Sequence, residues 1–324
     1  MKKGLILFLM IALLAGAVTM SGFAAGAQEE NKTIVFIPKS TSATFYLFLL
    51  QGAKDKAEEL GYEIQYAGPS TEADINAQVD FVRNVAARKP AGILLAALDT
   101  EALIPPVEEA IDAGVPVVMV DSGIDSRAPY GNFVTDQYAG GYMAGHEMAR
   151  ILGEEGLVAN LGIQAGSISA QRSVGFAEAI AEYPNMEVLD TQWTNADAAT
   201  SLNIASDILT GNPDIEGFFS AAAPIAIGIA QAVKGKGMED QVDIITFDPS
   251  PETLPLFEDG TIDAIIAQDP YQMGYRGVEV VHLVRTDSLD EKQYVELPPV
   301  LITPENYDQP EIQELVQTPD KFED

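Results

Sequence analysis

The stretch VDIITFDPSPETLPLFEDGTIDAIIAQDPYQMGY, residues 242–275, holds two apolar runs that each end on a polar side chain, Asp248 in the first and Gln268 followed by Asp269 in the second. VDIITF and TIDAIIA are rich in Ile and Val and bounded by Pro and Gly, which is the pattern of parallel strands buried on both faces. Ligands of open α/β sheets sit in the crevice beyond the carboxyl ends of the strands, where these polar residues fall. A carboxylate accepts several hydrogen bonds, and an amide both donates and accepts. A polyhydroxylated molecule needs that mixture.

The same unit recurs outward along the chain. Further strand-like runs span Ile34 to Pro38, Glu63 to Ala67, Gly92 to Leu98, Val115 to Val120, Val158 to Ile163, Val188 to Gln192 and Gly217 to Ser220. Between them lie helical patterns. Phe45, Leu49, Ala53, Ala57 and Leu60 recur at spacings of three and four before a stop at Gly61, and Ile75, Val79, Val82 and Val85 repeat the pattern. Strands alternating with such helices imply βαβ units and parallel sheets. The sequence reads as free of any repeat beyond this unit and of low-complexity linkers.

The amino terminus sets the expected compartment. Lys2 and Lys3 precede an apolar run from Gly4 to about Val18, and Ala25-Gly26-Ala27 forms a cleavage site before Gln28. This is the pattern of a secretory signal peptide; the alternative is a membrane anchor. The chain has no cysteine, so neither a lipid anchor on that residue, disulfides nor thiolate chemistry is expected. The mature protein is expected free in the periplasm. Cleavage after residue 27 removes two lysines and no acid, leaving 16 basic against 49 acidic side chains, a net charge of −33. Nucleic acid and anionic lipid surfaces, which require basic patches, are excluded as partners. A salt-rich habitat and an ordinary acidic secreted protein both fit such a charge. About 297 mature residues allow two domains of ordinary size.

Enzymatic patterns are missing. His146 and His282 are the only histidines, and His146-Glu147 lacks a second histidine three residues on, so the zinc-protease spacing is absent. There is neither a nucleophile elbow nor a phosphate loop, and Gly140-Gly141 suits helix packing better than a dinucleotide fingerprint. No metal and no cofactor is expected. Among 49 acids, a carboxylate pair for glycoside hydrolysis stays open by counting alone.

Several segments together carry a family resemblance: IVFIPKSTSATFYLFLLQGAKDKAEELGY, VPVVMVDSG, SISAQRSVGF, ILTGNPDIEGFF and the stretch from Val242 quoted first. In order and spacing they resemble the ribose/galactose-type (type I) periplasmic sugar-binding proteins, the solute receptors of ABC importers, over about residues 33 to 310. The resemblance implies two doubly wound parallel-sheet α/β lobes joined by a three-crossing hinge. Crossings are expected near Val134 to Asp136, Gln268 to Pro270 and Glu296 to Pro299. The implied lobes are residues 32–134 with 269–296, and 135–268 with 297–324.

The implied function is capture of a monosaccharide or related polyol between the lobes and its delivery to an ABC permease, by a monomer without catalysis of its own. The alternatives are a receptor for a signalling molecule or non-sugar solute on the same fold, and a secreted hydrolase. The resemblance places Asp121 and Asp248 as the two strand-end carboxylates, with helix N-caps as their alternative role. Gln268 matches the hinge glutamine, and Arg172 matches the arginine of R-x-x-G-F, whose alternative is a surface ion pair. Phe45 and Tyr46 match the aromatic pair that stacks on sugar, with core packing as the alternative. Lys39 and Trp193 are two further candidate contacts, the first otherwise a solvated charge and the second otherwise a core anchor. Ala43, Ala196 and Ala222-Ala223 stand where ribose-type members carry asparagine, aromatic and asparagine-aspartate residues, which implies a roomier or less polar pocket. Arg172→Ala and Asp248→Ala are expected to abolish ligand-induced stabilisation while leaving the unliganded melt nearly unchanged.

Overall fold

The computed structural model describes residues 31–71 and 74–316; the expected signal peptide, residues 1–27, lies outside them. Strand β1 (Thr33–Ile37) is followed by α1 (Phe45–Leu60), β2 (Glu63–Tyr66), α2 (Ile75–Ala87), β3 (Gly92–Leu95), α3 (Ile104–Asp112), β4 (Val117–Val120) and β5 (Gly131–Thr135). Then come α4 (Gln137–Leu152), β6 (Glu155–Gly162), α5 (Ala170–Ile180), β7 (Asn185–Val188), β8 (Gln192–Trp193), α6 (Ala198–Gly211), β9 (Ile215–Ser220) and α7 (Ala223–Lys236). The chain continues through β10 (Asp243–Phe247), α8 (Leu254–Glu258), β11 (Ala264–Ala267), α9 (Pro270–Arg285), β12 (Gln293–Leu297), β13 (Val300–Ile302) and α10 (Pro310–Val316).

Two sheets result. The first has the order β12-β5-β4-β3-β1-β2 and the second β13-β11-β10-β9-β6-β7, with β8 beside β6. Pairing is parallel except that β13 runs antiparallel to β11. In the first sheet Ile34 and Phe36 are buried against α1 and α9, whereas Val35 and Ile37 are buried against α2 and α3. Successive side chains of a strand point to opposite faces, so two covered faces require an unbroken apolar run. That is why these strands are legible without alternation.

The chain passes between the sheets three times. It leaves the first after Thr135, returns after Ala267 through α9, which packs on the first sheet, and leaves again after Leu297. Asp136 and Asp269 start the helices at the first two passages, and their carboxylates accept the backbone N–H of Ala139 at 2.8 Å and of Gln272 at 2.9 Å. Each satisfies one of the unpaired donors of a helix start.

Three strands differ from the sequence reading. GNFVT of β5 and QYVEL of β12 mix polar with apolar residues, and β13 has only three residues, so none makes an apolar run. They form strands through their partners in the sheet. The expected run from Val188 to Gln192 also divides, β7 ending at Val188 and β8 beginning at Gln192.

An internal repeat emerges from the helix pairs. Residues 136–142 and 269–275 share the pattern D-x-Y-x-x-G-Y, and their partner helices share G-x-x-(D/E)-x-x-x-E at Gly175, Glu178, Glu182 and at Gly52, Asp55, Glu59. Each tyrosine meets the matching acid: the hydroxyl of Tyr138 donates to Glu178 (2.7 Å), Tyr271 to Asp55 (2.9 Å), Tyr275 to Glu59 (3.0 Å), and Tyr142 to Glu182. A Cβ on Gly141 would overlap the carbonyl of Arg172, and one on Gly274 the carbonyl of Leu49. The repeated glycine lets each pair of helices touch backbone to backbone.

Candidate ligand-binding cleft

The carboxyl ends of the strands of both sheets open on one cleft of about 840 Å³. The strand registers superimpose one sheet on the other: Val118 pairs with Gly131 as Ile245 pairs with Ala264. Counting on from those pairs, Asp121 corresponds to Asp248 and Thr135 to Gln268. Asp121 and Asp248 both have a left-handed backbone, with φ of 62° and 64°. Aspartate tolerates that conformation better than most residues, though not without cost. Strained residues held in place by their surroundings are characteristic of ligand sites.

Neither aspartate caps a helix. No helix lies between β4 and β5, and in the turn before α8 it is the Ser250 hydroxyl that accepts the N–H of Thr253 at 3.1 Å. Asp121 instead takes the ammonium of Lys39 at 2.9 Å and the hydroxyl of Tyr46 at 3.1 Å on one oxygen, Oδ2. Tyr46 is buried and meets Phe36 edge-on at 6.2 Å, so it belongs to the core and presents only its hydroxyl. Phe45, set nearly perpendicular to Tyr46 at 5.3 Å, lines the cleft.

Asp248 sits in a closed ring of polar groups. Gln268 Nε2 donates to its Oδ1 at 2.8 Å, and Arg172 Nη1 lies 3.4 Å from its Oδ2. Arg172 Nε donates to Gln137 Oε1, whose Nε2 reaches Gln268 Oε1 at 3.5 Å. Arg172 also donates to the carbonyl of Ala221 at 2.8 Å and stacks over the Phe247 ring at 4.0 Å. Arg172 as a whole is only 6 % exposed. Burial pulls its pKa down and the carboxylates of Asp248 and then Asp121 push it back up; an arginine remains charged there. It is no surface ion pair.

Lys39, Phe45, Tyr46, Asp121, Arg172, Asp248 and Gln268 therefore meet in one cleft. Trp193 does not line it: the indole is 38 % exposed and lies across Gly162, where a Cβ would press on the ring. The ring lies against the bare glycine backbone, outside the residues that line the cleft. Ala43, Ala196 and Ala222 all line the cleft. Gln137 was missed because it belongs to no apolar run. The repeat gives no signal for it, because it falls at the variable position between Asp136 and Tyr138, where the second copy has Pro270. Among the described residues no group of His, Cys, Asp and Glu is placed to hold a metal.

Two parallel sheets, three passages between them and a polar cleft at their facing strand ends define a two-lobed α/β solute-binding fold. The chain belongs to the family described as periplasmic binding protein domain, whose profile matches residues 34–286. It is 28% identical over 275 residues to the ribose import binding protein of Salmonella typhimurium, covering 85% of this chain and 92% of that one. The arabinose binding protein of Geobacillus stearothermophilus has a similar structure, with a TM-score of 0.80 at 31% identity, covering 86% and 98% of the two chains. So does a carbohydrate transporter solute binding protein of Agrobacterium radiobacter in complex with D-arabinose, with a TM-score of 0.78 at 33% identity over 89% and 99%. The family and these relatives are binding proteins, not enzymes.

Proposed function

We propose that the protein is a periplasmic receptor that captures a monosaccharide or related polyol in this cleft and delivers it to the permease of an ABC importer, acting as a monomer without chemistry of its own. The observation that carries the reading is the pairing of Asp121 and Asp248, one from each sheet, in a single cleft with a buried arginine and a hinge glutamine. Carboxylates accept from hydroxyls, the arginine and amide donate to ring and hydroxyl oxygens, and Phe45 offers an aromatic face to the apolar side of a sugar ring.

We take the lobes as residues 32–134 with 269–296 and 135–268 with the remainder. Closure of the lobes about the hinge excludes water from the bound sugar, which strengthens each hydrogen bond and penalises each unpaired group. A ligand shifts the open and closed populations only through its differential contacts with them. The closed form, in which both lobes touch the sugar, is then the form the permease receives.

A thermal-shift screen over pentoses, hexoses, polyols and nucleosides tests this. A ligand at 100 times its Kd stabilises by about 2.7 kcal/mol. A shift with at least one sugar or polyol is expected; silence across all of them would overturn the reading, and consumption of a sugar would replace the receptor with an enzyme.

A further inference from the structure

The cleft does not end at its polar walls. A second cavity of about 340 Å³ opens from it and shares Ala43, Phe45, Asp248 and Gln268 with it. Beyond those four, its walls come from both lobes and are largely carbon: Phe48 of α1, Pro224 and Ile227 of α7, Pro249 after β10, and Leu315 and Val316 of α10. Of its polar wall residues, Ser250 is committed to the turn before α8, where its hydroxyl accepts the N–H groups of Glu252 and Thr253. Glu252 itself is exposed. Ala43 and Ala223 are small enough to leave the passage open.

Such a space suits carbon better than hydroxyls. An apolar cavity of about 150 Å³ already accepts benzene and stays dry otherwise, and this one has about twice that volume. Apolar surface moved into it from water is stabilised in proportion to its area, whereas a sugar hydroxyl placed against its carbon walls, out of reach of Thr44, Asp248 and Gln268, would lose its water partners without replacement. Continuity with the cleft through four shared residues means that one molecule can occupy both.

We propose that the natural ligand carries an apolar substituent, the size of a phenyl group or a short alkyl chain, which fills this annex while its hydroxylated ring lies between Asp121 and Asp248. The inference rests on the carbohydrate-receptor reading and narrows its substrate class to sugars or polyols with one hydrophobic arm. The annex supplies selectivity that the polar cleft alone does not, because a free sugar leaves it empty.

The test uses the whole mature protein and calorimetric titration with D-ribose, D-arabinose, D-allose and D-fucose, each as the free sugar and as its mono-O-methyl and mono-O-benzyl ethers at every hydroxyl in turn. For at least one position the benzyl ether is expected to bind tenfold or more tightly than the methyl ether. Ile227→Gln, at a half-buried wall of the annex only, is expected to shrink that preference at least fivefold while leaving the methyl ether's Kd in place. Free sugars that bind while every benzyl ether binds no better than its methyl counterpart would overturn the annex and leave the receptor standing. No binding by any of the three series would overturn the annex, and silence in the wider thermal-shift screen as well would overturn the receptor. A tenfold gain for the benzyl ethers on removing residues 317–324 would make the chain's own end the occupant and would also overturn the proposal.

Discussion

Asp121 and Asp248 hold the same register position in the two sheets and the same left-handed backbone, yet they are supported in opposite ways. Asp121 is held from the rim, by a lysine side chain 24% exposed and by a tyrosine hydroxyl that reaches out of the core. Asp248 is held from beneath, by an arginine nearly out of solvent and by a ring that runs through Gln268 and Gln137. The Lys39–Asp121 pair is half-buried, so water and salt screen it in part, and the long lysine side chain must be ordered to form it. A buried arginine whose Nε and Nη1 donors are both directed is costly to remove. The second sheet thus carries a prebuilt half-site, and the first an adjustable one.

The sharpest way to break this contrast is Arg172→Ala. It leaves Asp248 Oδ2, Gln137 Oε1 and the Ala221 carbonyl without the arginine's donors, so ligand affinity is expected to fall by a hundredfold or more, in line with the ~2–5 kcal/mol cost of truncating one partner of a buried charge pair. The unliganded melt is expected to drop as well. That differs from the sequence-based expectation of an unchanged melt, because the guanidinium also ties α5 to the end of β9 and covers Phe247. A hundredfold loss without any drop in melt would reduce Arg172 to a ligand contact alone.

Gly141→Ala and Gly274→Ala come next, since each forces apart one of two helix pairs built on the same repeat. Overpacking of this kind costs about 1–3 kcal/mol, and the two thermal shifts are expected to be alike. Only Gly141 abuts the backbone of Arg172. Ligand titration is therefore expected to separate the two, with weakened binding in Gly141→Ala and near wild-type binding in Gly274→Ala.

Lys39→Met tests the adjustable half. With the pair worth ~0.5–1 kcal/mol, affinity is expected to fall about two- to fivefold, and the gap to narrow when titrations are repeated at high salt. A loss as deep as that of Arg172→Ala would show the first half-site to be prebuilt too.

The last test reads stability rather than ligand affinity, at the opposite end of the sheets. In the second sheet Asp243 and Asp263 stand where the first has Pro116 and Tyr130. Burial pushes the Asp263 carboxyl up to about 7, with the neighbouring Asp243 adding to it, and burial raises Asp243 as well. A carboxyl whose folded pKa lies above its unfolded value near 3.9 binds more protons when folded. Its contribution is complete below the unfolded pKa and is lost as pH rises toward 7. Denaturant melts at pH 5 and pH 8 are expected to show Asp263→Asn flattening that decline. An unchanged slope would clear this corner of any role.

The elements buried on both faces were legible because two covers demand unbroken apolar runs, as in β1, β4 and β10. Strands β5, β12 and β13 were not, since they gain their state from the neighbour they pair with. At the site, the residues ending apolar runs could be read, and so could Arg172 at the start of its helix. Gln137 could not, for it is placed by the contacts of α4 with Arg172 and Gln268, whereas for Tyr46 the core-packing alternative is the one realised. For Trp193 the sequence left the side open, because a lone aromatic at a strand end gives no sign of which way it faces.

By itself the sequence determined the alternation of strands and helices, the strand-end carboxylates and the excess of acid, all of them local patterns with a local physical cause. Only the tertiary structure decided that two aspartates 127 positions apart in the sequence share one cleft, that one is gripped by a buried arginine and the other by a half-buried lysine, and that an apolar annex opens beside them. Those facts depend on three passages of the chain between two sheets, and packing at that range leaves no periodicity in the sequence to read.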